Sequence, residues 1–336
     1  MIKTIYLVLL LCLSTVASAI TPDEQSLLHK TAMFAFYSDF ATNLHDALLI
    51  SGGMDSRERS DWFAAGEQLA CFEGLPNSMR SGWEMAVGFY ARVIAPSSWG
   101  DRQQSLIRLD LAGISEGRDE SGRAFNQMTR HVRAVAAPAY RACLWEAQDA
   151  ANRAWVNTLM PQLERHESVI AARLATLYGS EWHGLPLRVD IVADAPPLGA
   201  NSIFLVPEGG HLLVSTRVAD EDALEITFHE ASHTIVSAWR KDPLPIAINE
   251  TADQLGMQRA GDLWHVMLFY LTGAAVQEAL AKPGEGTYVP YMLRHDLWAG
   301  RWGQYREALE THLPEYLEGR TTLERVVHSI LEDLNQ

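Results

Sequence analysis

The sequence is short of cysteine, short of positive charge and without basic clusters. Three cysteines among 336 residues exclude a disulfide-dense scaffold, and none has the paired spacing of a cysteine-based metal knuckle. Lys and Arg number 27 against 42 Asp and Glu, a formal net charge of −15. That balance excludes nucleic acid and anionic membrane surfaces as natural partners. No low-complexity tract or internal repeat interrupts the chain. Apolar residues make up 48% and charged residues 21%, an ordinary globular composition with material for a large core.

What is present begins with a leader. Lys3 supplies a positive start, residues 5–13 form an apolar run, and Ala17-Ser18-Ala19 is a small-residue cleavage site. This pattern predicts a secretory signal peptide over residues 1–19, too short to span a bilayer, and hence a secreted or periplasmic protein without stable membrane insertion after cleavage. Cys12 falls inside the leader. Cys71 and Cys143 remain and, in an oxidising compartment, are expected to form a disulfide.

Residues 20–180 read as a helical N-terminal region, with apolar spacings of three and four over residues 24–50, 60–73, 81–93 and 124–178. The pattern then changes. Three short strands are expected at 187–192, 202–206 and 211–215, the last two joined by a hairpin loop at Pro207-Glu208-Gly209-Gly210. Asp222 and Glu225 have capping-box spacing for a helix running to about Trp239. Further helices are expected at 246–258, at 262–280 and twice within 302–334. The fold class is α+β and mainly helical, with a small sheet in the second half, residues 181–336.

The chemistry is concentrated in His229-Glu230-Ala231-Ser232-His233. Residues i and i+4 of a helix stand one above the other, so two imidazoles at this spacing can reach one zinc ion. The Glu between them projects beside the metal, placed to take a proton from bound water. Leu224, Phe228, Ala231 and Ile235 form an apolar stripe on another face, which directs both histidines toward a cleft. A catalytic zinc needs a third protein ligand, and Glu250, 17 residues after His233 on the next helix, supplies a carboxylate. Asp253, one turn further, has the position to accept a hydrogen bond from a zinc-bound histidine. Asp253 is also an alternative third ligand.

The histidine pair with its Glu, followed by Ala247-Ile248-Asn249-Glu250, resembles the gluzincin superfamily of zinc metallopeptidases, in particular the ligand helix of the thermolysin-like group. The likeness covers roughly residues 211–256. Val236 and Trp239 stand where the elongated metzincin motif has Gly and a third His. The resemblance implies a zincin-like catalytic half, Zn2+ held by His229, His233 and Glu250, and Glu230 as general base. It implies a peptide or protein substrate laid along an edge strand before the metal helix, here 211–215. An oxyanion-stabilising group is also implied, with Tyr291 and Tyr288 as first candidates and His295 and His265 behind them. The expected activity is that of an exported zinc peptidase. The alternative is a catalytically silent, peptidase-like binding protein of the cell envelope.

Overall fold

The computed structural model describes residues 25–53, 66–96, 102–113, 120–195, 199–205, 209–237, 242–257, 260–281 and 287–335. The expected leader and Pro207-Glu208 of the expected hairpin loop lie outside these residues.

The stretch expected as one helix over 24–50 is instead β1 (Gln25–Lys30), β2 (Phe34–Asp39) and α1 (Phe40–Ser51). Phe34, Ala35 and Phe36 are consecutive and all buried. A strand covered on both faces has no polar–apolar alternation to mark it. Asp39 ends β2 and caps α1, accepting the Thr42 backbone N–H at 2.7 Å. The helical layer continues with α2 (Gly66–Gly74), α3 (Asn77–Phe89), α4 (Arg102–Leu111), α5 (Glu120–Tyr140) and the long α6 (Glu146–Tyr178). A π-helical turn, Arg141–Trp145, joins α5 to α6. Cys71 and Cys143 form the expected disulfide, Cα–Cα 5.7 Å, which ties α2 to that turn.

The three strands anticipated from the sequence are β3 (Leu187–Val192), β4 (Ala200–Leu205) and β5 (Gly209–Ser215). They join β1 and β2 in a five-stranded sheet of order β1-β2-β3-β5-β4. β2, β3 and β5 run parallel, and β1 and β4 are antiparallel to their neighbours. The sheet therefore draws strands from both sides of residue 180. β5 lies inside the sheet, paired on both edges, so the expectation of a free edge at 211–215 is corrected: the edge on this side is β4.

One face of the sheet, with Phe36, Val189 and Leu212, closes a large core. Its helices are α6, α7 (Ala223–Ser232), α8 (Pro243–Gln254), α9 (Leu263–Leu280), α11 (Arg306–Leu317) and α12 (Leu323–Leu334), with the one-turn α10 (Tyr291–Arg294) at its margin. Across the sheet, α1, α3, α4 and α5 enclose a second core around Leu44, Trp83 and Tyr140. Between them runs a buried ionic chain. Arg188 Nε donates to Asp190 Oδ2 at 2.7 Å, and His211 Nε2 meets the same oxygen at 2.6 Å. His211 Nδ1 faces the Arg108 carbonyl at 3.0 Å, and Arg108 pairs with Asp46. Burial alone would push the Asp190 carboxyl upward. Arg188 and His211 outweigh it and hold the group at about 2. Among the described residues, no helix is long and apolar enough to cross a membrane.

Candidate metal centre

α7 stops at Ser232, well short of the expected end near Trp239. Ser232 and Thr234 turn their hydroxyls back onto the carbonyls of Phe228 and Ala231, both at 2.7 Å, bonds that compete with helix continuation. His233 takes the C-cap with helical dihedrals, φ −61° and ψ −18°. The i,i+4 relation to His229 therefore survives, with ring centroids 5.0 Å apart.

α9 lies antiparallel against α7. The His233 ring faces His265 at 5.1 Å, the His229 ring stacks on Phe269 at 3.5 Å, and Glu225 abuts Gly273. His265, on the first turn of α9, completes a trio. One nitrogen from each of His229, His233 and His265 lies within 4.8 Å of the others. His229 Nε2 and His265 Nε2 are 3.3 Å apart. Two nitrogens each about 2.05 Å from a tetrahedral zinc are separated by about 3.35 Å, so this pair has the spacing of two ligands of one ion.

Burial pushes all three imidazoles down. His229 falls well below the usual histidine range, His233 to about 3 and His265 to about 4. The mutual proximity of the rings adds to the effect for His229 and His233. Neutral rings with free lone pairs are what a metal requires of histidine. The shell around them is aromatic. Trp264 stacks on His265 at 5.0 Å, and Trp302 meets the same ring edge-on at 5.2 Å. These rings border the half-buried His265 and add apolar surface beside the trio.

Glu230 is buried beside the trio. Its carboxyl is pushed up to about 8 by burial, against a hydrogen bond from Ser202. Ser202 belongs to β4, so the general-base candidate touches the edge strand. A divalent cation alongside favours the carboxylate form.

The sequence-based third ligand is not brought here. Glu250 stands outside the trio and is exposed on α8, as are Asn249 and Asp253. The reason is the helix's own pattern. Leu244, Ala247, Ile248 and Ala252 face the core, where α8 packs chiefly on α12, and the acidic face turns to solvent. Asp253 is not the histidine partner either. Among the described residues His229 Nδ1 is buried without a hydrogen-bond partner, and the His233 ring bonds to the Val236 backbone.

The capping-box reading of Asp222 and Glu225 is also corrected. Asp222 makes no side-chain cap to α7. Instead both carboxylates clamp the segment Tyr288–His295. The Tyr288 hydroxyl and the Tyr291 backbone N–H each donate to Glu225 Oε2 at 2.8 Å. His295 Nε2 meets Asp222 Oδ2 at 2.7 Å, and Arg294 lies 2.9 Å from Asp222 Oδ1. Burial pushes the Glu225 carboxyl up to about 7. The Tyr288 hydroxyl proton is thus committed to Glu225, away from any oxyanion. The Tyr291 ring packs between His295, at 4.2 Å, and Phe269, at 6.0 Å, which places it next to the ring that covers His229.

In comparisons with protein-family models, curated proteins and solved structures, nothing matches this chain.

Proposed function

We propose that this protein is an exported, zinc-dependent peptidase of the zincin type, with His229, His233 and His265 as the metal ligands and Glu230 as general base. The observation that carries the reading is the trio of imidazoles converging from α7 and α9, His229 buried and His233 and His265 half-buried, with the buried Glu230 next to His229 on α7. Three histidines that leave one coordination position open are a catalytic donor set, whereas structural zinc is usually closed by four protein ligands. When bound, zinc supplies Lewis acidity and lowers the pKa of its water toward 7.

The chain's own groups do the rest. Glu230 takes the proton released by the attacking water and returns it to the leaving amine. Ser202 orients the Glu230 carboxyl from β4. Among the described residues β4 is the outer strand on this side, and its edge would offer backbone N–H and C=O groups to an extended peptide. Trp264, Phe269 and Trp302 border the imidazoles. Tyr291, whose ring lies next to Phe269, is the candidate for steadying the oxyanion. Zinc as the metal, the peptide substrate and export rest on the chemistry of this donor set, the leader-like residues 1–19 and the Cys71–Cys143 disulfide.

The deciding experiment is elemental analysis of the purified protein, paired with a peptide-library digest read by mass spectrometry. About one zinc per chain is expected, lost in His233→Ala and in His265→Ala, together with cleavage by the wild type alone. Full zinc content in His265→Ala would remove His265 from the ligand set. A zinc-loaded wild type that cuts nothing would favour the silent binding protein.

A further inference from the structure

Two buried polar atoms on α7 have no hydrogen-bond partner among the described residues, and they are complementary. One is His229 Nδ1, the nitrogen turned away from the trio; the other is Glu225 Oε1. Both residues are essentially inaccessible to solvent. They stand at i and i+4 on one helix, where side chains are neighbours. A buried imidazole N–H or carboxylate oxygen left unpaired is costly, and native proteins seldom leave one so. The other Glu225 oxygen already accepts both the Tyr288 hydroxyl and the Tyr291 N–H, so Oε1 is free for a further donor.

The facing helix makes room for this carboxylate. α9 presents His265, Phe269 and Gly273 at successive i+4 positions. The first two cover the histidines of α7, and the third lies opposite Glu225. A Cβ at residue 273 would stand 3.0 Å from Glu225 Oε1 and 2.7 Å from Pro290 Cβ. Only glycine leaves that space open, so the carboxylate sits where α9 has no side chain.

We propose that Glu225 is the positioning residue of the metal centre. In the metal-loaded protein, His229 Nδ1–H donates to Glu225 Oε1, directly or through one water. That bond fixes the tautomer in which the Nε2 lone pair points at the trio. Metal ligands of this kind commonly donate their second nitrogen to a carboxylate, and losing that partner typically lowers metal affinity 10–100-fold. The same carboxylate clamps Tyr288 and the Tyr291 backbone, so one side chain sets both the ligand and the neighbouring wall. This inference rests on the trio being a metal site; it does not require peptidase activity.

The test is zinc affinity, measured by competition with a chromophoric chelator on the full-length mature protein. In Glu225→Gln, the amide oxygen can accept from Tyr288 and Tyr291 as before. Its NH2 then stands where Oε1 was and cannot accept from Nδ1–H. Zinc binding is expected to weaken 10–100-fold while the melting temperature of the metal-free protein stays at or above that of wild type. Tyr288→Phe removes one clamp bond but leaves Oε1 untouched, and is expected to change zinc affinity less than about threefold. Should Glu225→Gln fail to fold, long-range 1H–15N correlation spectra of the zinc-loaded wild type decide. A His229 Nδ1–H protected from solvent exchange is expected. Unchanged zinc affinity in Glu225→Gln, equal losses in both variants, or a freely exchanging Nδ1–H would each overturn the proposal. A wild type that binds no zinc would instead defeat the metal-centre reading itself.

Discussion

At the scale of single residues, burial sets the chemistry. Glu230 is buried, which raises its proton affinity, and Ser202 hydrogen-bonds its side chain. Glu230→Gln preserves shape and removes the base. It is expected to retain zinc while peptide turnover falls by about 10²–10⁴, a loss seen in kcat rather than KM. Asp190 shows the opposite balance. Its folded-state pKa of about 2 lies below the ordinary 3.8. Its pairing with Arg188 and His211 therefore stabilises the fold above about pH 4, and this contribution is lost as pH falls through 2. The shift corresponds to about 2 kcal/mol. Urea midpoints of wild type at pH 6 and pH 2.5 should diverge by more than those of Asp190→Asn. That variant should itself be about 3–5 kcal/mol less stable at pH 6, because Arg188 loses the anion it pairs with and His211 the carboxylate it meets. Residue-level reasoning from sequence pointed to His229 and His233, which the structure brings together, since i,i+4 geometry is local. His265 was visible only as a weak oxyanion candidate. It is 32 residues beyond His233 on another helix, and no spacing rule links the two. Its one sequence signal is a lone histidine, next to a tryptophan, on an otherwise apolar helix.

At the scale of elements, the register between α7 and α9 decides which side chains meet. Gly273→Ala tests that register. The added methyl meets Pro290 and Glu225, and a cost of about 1–3 kcal/mol is expected, read as a lower melting temperature. Zinc affinity should fall in the same variant, since the intruding methyl moves Glu225. The helices themselves were readable because their apolar spacing is periodic: α9, α11 and α12 lie where the pattern puts them. α8 was placed correctly in outline, but the direction of its acidic face depends on α12, which packs on it from much later in the chain. The carboxylates of Asp222 and Glu225 have the spacing of a local cap. They instead bind Tyr288, Tyr291, Arg294 and His295, a tertiary preference that local rules do not contain. Asp296, directly after His295, adopts φ +46°. This left-handed conformation is unfavourable for most side chains and tolerated by Asp. Asp296→Gly is expected to stabilise the protein slightly, by a few tenths of a kcal/mol, measured by thermal unfolding.

At the scale of the whole molecule, two cores share one sheet. The disulfide fastens only the helical layer over the second face, far in the fold from α7 and α9. Cys71→Ser/Cys143→Ser should therefore lower the melting temperature, by the equivalent of at most about 4 kcal/mol, and leave zinc affinity unchanged. A loss of zinc affinity would show that the two layers are coupled more tightly than the buried ionic chain implies. The mainly helical α+β character was legible in the sequence. The pairing of β2 with β3 was not, because Phe34, Ala35 and Phe36 carry no alternation to distinguish a covered strand from a helix.

That pairing has a consequence for biogenesis. Phe34 is matched with Leu187, so a nascent chain must hold its opening hairpin unsatisfied until nearly the whole helical layer has been synthesised. Any fragment released before residue 187 would expose a bare, greasy ribbon to its neighbours and would clump, whereas the finished polypeptide hides it. Premature termination is in this way converted into insolubility, a state that proteases can recognise without any dedicated signal.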